Sequence, residues 1–308
     1  MMKVFVSTSS FAKDDNRPFD MLKEAGLEVS LNPYGRKLFE DEIRGFLHDI
    51  DYLIAGTEPL TQRVLGSAKR LKVISRCGTG LDNVDIKAAD KLGIKVYNTP
   101  YGPTQSVAEL TIGLMLDMLR HISRMDRDTR SGVWKKYTGN LLSEKKVGII
   151  GFGKIGQKVA ELLVPFGVEV SYFDISSQQQ SGLFFQSKSM EELLSWADII
   201  TLHCSATQND KHLLGKNELK KMKKGAWLIN TARGKLLDEN ELYFLLKEGH
   251  LSGAALDVYS HEPYTGSLRE LDNVLLTPHI GSYAKEGRIN MELQAVKNLL
   301  YGAGFTVR

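Results

Sequence analysis

Residues 147–156 read Val147-Gly148-Ile149-Ile150-Gly151-Phe152-Gly153-Lys154-Ile155-Gly156, an apolar run that opens into three glycines spaced G-x-G-x-x-G. Apolar residues then recur at helical spacing, and Gly167 follows where a helix C-cap is expected. The next β-rich run ends on Asp174, 18 residues beyond Gly156. A glycine-rich hexapeptide alone is weak evidence for a binding site. Here the context is that of a dinucleotide-binding turn: a strand, the turn, a helix, a second strand and a terminal acid.

Each part of this pattern has a physical reason. Glycines permit the tight turn, the close approach of backbone to a pyrophosphate and the packing of helix on strand, while the helix N-terminus favours phosphate. The terminal acid accepts hydrogen bonds from ribose hydroxyls and repels a 2′-phosphate, which predicts NAD rather than NADP as the cofactor. We expect the cofactor to be bound by Gly151, Gly153, Lys154, Ile155, Gly156 and Asp174.

The composition excludes several classes of protein. A length of 308 residues suits two domains, and a net charge of +3 with 25% charged residues does not indicate a nucleic-acid binder. Cys77 and Cys204 lie far apart and lack metal-ligand spacing, which favours a reducing compartment and no metal site. No signal-peptide pattern and no run of about 18 apolar residues is visible, so we expect a cytoplasmic protein without a membrane partner.

Two α/β blocks follow one another along the chain. The first has five short β-rich runs that predict a small parallel sheet: 3–6, 27–31, 52–55, 73–75 and 95–97. A long helix is predicted over 104–124, with Val107 to Ile122 supplying its apolar stripe. In the second block, further strands are predicted after the glycine-rich turn at 198–204, 226–230, 253–257 and 274–276. The residues of the final segment, 283–308, predict an amphipathic helix that either caps the second sheet or crosses back to the first.

Polar residues follow the strands of the second block, where ligands bind to an open parallel sheet. They include Arg233, Asp257 and His279, with Glu262 in the loop after Asp257. Arg233 suits bidentate binding of a carboxylate, and His279 suits proton transfer to a carbonyl oxygen. Glu262 beside the imidazole would orient it and favour its protonated form. The set predicts hydride transfer between a nicotinamide and a 2-oxo acid.

At these residues the chain resembles the D-isomer-specific 2-hydroxyacid dehydrogenases, most closely their 3-phosphoglycerate dehydrogenase branch. The resemblance rests on five ordered motifs: residues 75–85, 98–109, 230–234, 253–263 and 277–281. It implies a Rossmann-type, doubly wound NAD-binding domain at 99–282. It also implies a smaller, flavodoxin-like and discontinuous substrate domain at 1–98 and 283–308, a hinge near Asn98 and Tyr283, and a homodimer formed through the NAD-binding domains.

The resemblance also assigns site residues. It implies that Arg233, Glu262 and His279 are catalytic. It adds Thr231, Ala232, Asp257 and Gly281 to the cofactor site. The substrate would bind to the backbone amides of a loop and to two cations: Gly78, Thr79, Gly80, Arg76 and Lys136.

The identity of the substrate stays open at this point. The favoured pair is 3-phosphoglycerate and 3-phosphohydroxypyruvate, and the alternative is a glyoxylate or hydroxypyruvate reductase. Many phosphoglycerate enzymes carry an arginine where this chain reads Gly56-Thr57-Glu58-Pro59, which weakens the assignment of a phosphorylated substrate. Lys136 matches a family lysine on the substrate side, which supports that assignment. A third alternative, from another class, is an NAD-sensing corepressor that binds partner peptides.

Overall fold

The computed structural model describes residues 1–175, 185–205 and 211–305, which fold as two compact units. Unit 1 comprises Met1–Thr104 and Ser282–Arg308, and unit 2 comprises Gln105–Gly281. The boundaries expected from the resemblance, after residues 98 and 282, fall close to these.

Unit 1 alternates strands and helices around one sheet. Its first nine elements are β1 (Lys3–Val6), α1 (Arg17–Glu24), β2 (Glu28–Leu31), α2 (Glu40–Phe46), β3 (Tyr52–Ala55), α3 (Gln62–Ser67), β4 (Val73–Arg76), α4 (Ile86–Lys91) and β5 (Lys95–Tyr97). The strands are all parallel, in the order β2-β1-β3-β4-β5. This is the flavodoxin-like order of a doubly wound sheet.

Unit 2 contains the glycine-rich turn and a larger sheet. Its elements are α5 (Thr104–Arg120), α6 (Ile122–Arg130), β6 (Lys146–Ile150), α7 (Lys154–Leu163), β7 (Glu169–Phe173), β8 (Gln186–Ser187), α8 (Met190–Trp196), β9 (Ile199–Leu202), α9 (Lys216–Lys221), β10 (Trp227–Asn230), α10 (Glu239–Lys247), β11 (Gly253–Leu256) and β12 (Val274–Leu276). The parallel strands run β12-β11-β10-β9-β6-β7-β8, so the strand order reverses between β6 and β9. The predicted α/β class is confirmed.

The last helix, α11 (Lys285–Gly302), belongs to unit 1. Its buried residues Met291, Ala295 and Leu299 pack in one core cluster with Val4 of β1 and Val73 of β4. The hydroxyl of Ser75 donates to the carbonyl of Ala295 over 2.7 Å. Of the two courses that the sequence left open, the chain therefore crosses back to the first sheet.

The predicted helix over 104–124 is wrong at its end. Helix α5 ends at Arg120, and His121 adopts a left-handed backbone with φ 55° before α6 begins. Ile122, assigned to the buried stripe, is 54% exposed as a result. The two-residue strand β8 was not predicted, because two polar residues give no β signal.

Within the described ranges, no helix is both long and apolar enough to cross a bilayer. The same residues contain no group of three or more side chains able to hold a metal ion.

Candidate active site

The turn after β6 requires glycine at two positions. Gly151 has φ +93°, and a Cβ there would lie 2.6 Å from the backbone nitrogen of Cys204. A Cβ on Gly156 would lie 2.1 Å from the carbonyl oxygen of Gly151. Helix α7 therefore packs directly on the turn, at the point where the strand order of the sheet reverses.

Gly153, the middle glycine of the G-x-G-x-x-G pattern, has a different environment. It is the N-cap residue of the ten-residue helix α7, which begins with Lys154 and Ile155, and no atom lies within 4 Å of its Cβ position. The first amides of a helix have no partner within the helix, and their dipole favours anions. Open space at this N-terminus fits a pyrophosphate.

Asp174 follows β7 and is joined to the same turn. One of its carboxylate oxygens accepts a hydrogen bond from the amide of Phe152 over 2.6 Å. The turn itself is fixed to β7, since the amide of Gly151 donates to the carbonyl of Phe173 over 2.8 Å. These residues together fit a dinucleotide, with the acid placed at the end of the neighbouring strand.

Asp257, at the end of β11, is completely buried and holds the loop that carries His279. One carboxylate oxygen accepts from the Thr277 hydroxyl over 2.6 Å and from the Ile280 amide over 2.7 Å. The other accepts from the Gly281 amide over 2.8 Å. The placement of Asp257 and Gly281 in the cofactor site stays a prediction, and the structure shows that the two residues fix this loop.

His279 and Glu262 form a pair at this loop. The Nδ1 atom of His279 lies 3.0 and 2.9 Å from the two carboxylate oxygens of Glu262. Because a carboxylate only accepts, Nδ1 carries the proton and donates it, which leaves Nε2 as the nitrogen that can exchange a proton with a ligand. His279 has φ 55°, and both side chains are partly exposed. The backbone is thus bent to present the ring beside the acid.

The turn that carries Arg233 is built by the side chain of Asn230, at the end of β10. Its amide donates to the Arg233 carbonyl over 2.8 Å, and its oxygen accepts from the Ala232 amide over 3.0 Å. Thr231 is buried, and its hydroxyl lies 3.0 Å from that of Thr111. A Cβ on Gly234 would lie 1.9 Å from the backbone of Tyr259, so this turn packs against the loop that leads to Glu262.

Tyr259 is a supporting residue that sequence reasoning missed. Its hydroxyl donates to the carbonyls of Leu256 and Thr277, at 2.9 and 2.8 Å, and its amide donates to Glu262 over 3.2 Å. Burial raises the pKa of Tyr259, so the hydroxyl stays protonated. Tyr259 thereby joins the loops of Glu262 and His279. A tyrosine three residues after the end of a strand gives no sequence signal for this role.

The candidate substrate residues of unit 1 lie in the loop after β4. Gly78 has φ +145°, and its amide donates to the Thr99 hydroxyl over 2.7 Å. The guanidinium of Arg76 occupies the side of Gly78 where a Cβ would stand, with Nη1 at 1.1 Å from that position. The carbonyl of Thr79 accepts from the Asn98 side chain over 2.6 Å, so the loop, which continues to Gly80, is held to the segment that follows β5.

The structure thus brings the site residues together in two groups. Arg233, Glu262 and His279 share one edge of unit 2, and Arg76 lies beside Gly78 in unit 1. Lys136 is exposed in a segment of unit 2 without regular structure, and among the described residues it makes no hydrogen bond to Arg233, Glu262 or His279.

Comparison with known proteins decides the family. A family model described as the D-isomer specific 2-hydroxyacid dehydrogenase, NAD binding domain, matches residues 112–281. The hydroxypyruvate reductase of Thermotoga maritima is 36% identical over 291 residues, which cover 92% of this chain and 94% of the relative. The chain belongs to the D-isomer-specific 2-hydroxyacid dehydrogenase family. It is an oxidoreductase that uses NAD, as the sequence predicted.

Two further relatives show how the family varies. The D-3-phosphoglycerate dehydrogenase of Bacillus subtilis is 38% identical over 267 residues, which are 85% of this chain but 50% of that protein. A crystal structure of D-lactate dehydrogenase from Aquifex aeolicus, complexed with NAD and lactic acid, has a TM-score of 0.82 and 27% identity, covering 96% of this chain and 93% of that one. The Aquifex structure holds NAD, and the two relatives are named for different substrates.

Proposed function

We propose that this dehydrogenase transfers hydride between NAD(H) and a small 2-hydroxy or 2-oxo acid, with Arg233, Glu262 and His279 as its catalytic residues. The observation that carries this proposal is the His279–Glu262 pair, at 2.9 Å, on a loop that the buried Asp257 fixes. A histidine held by a carboxylate at one ring nitrogen can exchange a proton at the other and is suited to general acid–base catalysis.

The roles of the side chains follow from their chemistry. Bound NADH supplies the hydride. Arg233 holds the substrate carboxylate with its fork of donors. In unit 1, the loop that contains Gly78, Thr79 and Gly80 is the segment proposed to contribute to substrate binding. His279 donates the Nε2 proton to the carbonyl oxygen during reduction and accepts it during oxidation.

Supporting residues keep these groups in place. Glu262 accepts from Nδ1, which fixes the tautomer of His279 and stabilises the imidazolium. Thr231, Ala232, Asp257 and Gly281 line the nicotinamide side of the site.

The substrate belongs to the same proposal. The similarity to a hydroxypyruvate reductase and to a phosphoglycerate dehydrogenase supports hydroxypyruvate, glyoxylate and 3-phosphohydroxypyruvate as candidates. A phosphorylated substrate requires a cation for its phosphate, and Arg76 and Lys136 are the residues proposed for it.

We further propose a homodimer formed through unit 2. The segment before β6 exposes three apolar side chains: Val133 is 47% exposed, Trp134 84% and Leu141 58%. We take these side chains as the candidate interface, since exposed apolar surface favours protein contacts. Trp134→Glu should shift the sedimentation coefficient from that of a dimer to that of a monomer. If the unmodified protein already sediments as a monomer, the dimer is excluded.

The test of the function is an NADH-consumption assay with hydroxypyruvate, glyoxylate, 3-phosphohydroxypyruvate and 2-oxoglutarate. His279→Ala should lower turnover by about 10²–10⁴ while NADH still binds, because only proton transfer is removed. His261→Ala is the matched control, since His261 is an exposed histidine in the loop that carries Glu262, and it should keep full turnover. No reduction of any of these acids, or equal turnover in the two variants, would overturn the proposal.

A further inference from the structure

Three aromatic rings meet beside the glycine-rich turn of unit 2. Phe152 lies in the turn, and its ring stacks on that of Tyr172 in β7, with 3.9 Å between the ring centroids and 12° between the ring planes. The ring of Phe185 meets Phe152 edge-on at 6.0 Å. All three side chains are half-buried and pack against one core cluster of unit 2. The ring in the turn is therefore held by a specific partner on the neighbouring strand.

The backbone of Phe152 is joined to the end of the same strand and to helix α7. Its amide donates to one carboxylate oxygen of Asp174 over 2.6 Å, and hydrogen bonds to an ionised acceptor are the stronger kind. Its carbonyl accepts from the side-chain amide of Gln157, in α7, over 2.8 Å. Phe152 is thus fixed at its ring, its amide and its carbonyl.

Tyr172 and Asp174 contact Phe152 from the same face of the strand. They are two residues apart, and side chains at that spacing leave a strand on one side. The ring stack and the hydrogen bond are therefore neighbouring contacts of one residue. A displacement of the Phe152 ring would move its amide, and with it the donor that fixes the Asp174 carboxylate.

We propose that the stack of Phe152 on Tyr172 positions the carboxylate of Asp174, which makes both aromatic residues determinants of the preference for NADH over NADPH. Asp174 is expected to accept from the ribose hydroxyls and to repel a 2′-phosphate. Both effects depend on where the carboxylate stands, and a binding group acts fully only when its supporting contacts hold it in place. Phe152 and Tyr172 are positioning residues, since they act through Asp174. The inference rests on that expected role of Asp174.

The experiment measures the dissociation constants of NADH and NADPH for the full-length protein by coenzyme fluorescence. Phe152→Leu and Tyr172→Leu each remove one ring of the stack and keep an apolar side chain. Loss of an aromatic pair changes an equilibrium constant by roughly two- to ten-fold, so the preference for NADH should fall by a factor in that range. Tyr172→Phe keeps the ring and should keep the preference.

A double variant separates positioning from a general loss of stability. If the stack acts through Asp174, adding Phe152→Leu to Asp174→Ala should not change the ratio of the two dissociation constants any further. Tyr243→Leu is the matched control, because it removes a ring from another aromatic pair of unit 2, Tyr243 with Phe244 at 5.6 Å. It should leave the ratio unchanged.

The unmodified protein and the two leucine variants decide the outcome together. If the unmodified protein prefers NADH and a folded leucine variant retains that preference in full, the inference is overturned while the role of Asp174 stands. Equal binding of both coenzymes by the unmodified protein would remove the role of Asp174, and the inference with it. The two leucine variants break the same contact from opposite sides, so one that fails to fold leaves the other to decide.

Discussion

Asp174 is the residue that should decide between the two nicotinamide coenzymes. It ends the strand next to the glycine-rich turn, and a carboxylate there accepts from ribose hydroxyls and repels a 2′-phosphate. We expect NADH to be preferred over NADPH by about ten-fold or more, or about 1.4 kcal/mol. Asp174→Ala should reduce that preference, as measured by the dissociation constants of both coenzymes.

The ratio of the two constants is the informative quantity, because Asp174 also accepts from the Phe152 amide and its loss weakens the turn for either coenzyme. Glu169→Ala, at the start of the same strand β7, is the control and should leave the ratio unchanged. Equal binding of NADH and NADPH by the unmodified protein would contradict the assignment.

Glu58 should leave a signature in the stability of the protein. Burial raises its pKa in the folded state, whereas the unfolded value is that of an ordinary carboxyl group, about 4.3. Between these two values the folded protein keeps a proton that the unfolded chain has lost, so stability falls as pH rises through that window. Glu58→Gln removes this contribution. The melting temperature of the variant should fall less steeply with pH above about 4.3, and parallel curves for the two proteins would show that Glu58 is not shifted.

At the scale of the element, two glycines at the start of helix α7 are present for different physical reasons. A Cβ at Gly156 would clash with the Gly151 carbonyl at 2.1 Å, so the glycine is required by packing. Beyond its chain neighbours, Gly153 has no atom within 4 Å of its Cβ position, so packing does not require a glycine there and we expect a bound ligand to require it. Gly156→Ala should lower the melting temperature of the protein without ligand. Gly153→Ala should keep that temperature but weaken NADH binding.

The melting temperatures of the two variants, Gly156→Ala and Gly153→Ala, are compared by thermal unfolding with and without NADH. Since a Cβ would stand where the backbone meets the pyrophosphate, Gly153→Ala should lose most of the stabilisation that NADH gives to the unmodified protein. A Gly153→Ala protein with normal NADH stabilisation would mean that the pyrophosphate does not approach this residue.

The sequence predicted the strands better than the helices. Strands such as Tyr52–Ala55 and Val274–Leu276 have the predicted bounds, because strands covered on both faces are short apolar runs between turns. The break at His121 escaped prediction, since a left-handed histidine has no marker in an otherwise helical pattern. Element type is thus a local property of the sequence, whereas a break within a helix depends on the packing around it.

The same division holds for the site. Arg233 and His279 were predicted because they stand just after strands of a sheet whose edge binds ligands. The hydrogen bonds that Tyr259 makes to Thr277, and those of Asp257 to Gly281, join separate loops and depend on the tertiary fold. Glu58 entered the sequence analysis only within the segment where many phosphoglycerate enzymes carry an arginine, and its burial and its hydrogen bond from Ser7 are visible only in the structure.

At the scale of the whole molecule, the discontinuous course of the chain predicts an uneven response to truncation. Helix α11 supplies Met291, Ala295 and Leu299 to the core of unit 1, whereas every element of the glycine-rich turn lies in unit 2. Each fully buried leucine or methionine contributes about 1.5–3 kcal/mol, and a domain has only about 5–15 kcal/mol of net stability. Removing residues 283–308 should therefore unfold unit 1 and leave unit 2 folded. The truncated protein should bind NADH with nearly normal affinity but reduce no 2-oxo acid, and it should lose part of its circular dichroism. Leu299→Ala in the full chain should act in the same direction but more weakly. Tyr301, in the same helix, is 73% exposed, so Tyr301→Ala should leave the stability unchanged. Loss of NADH binding together with unit 1 would show that the two units do not fold independently.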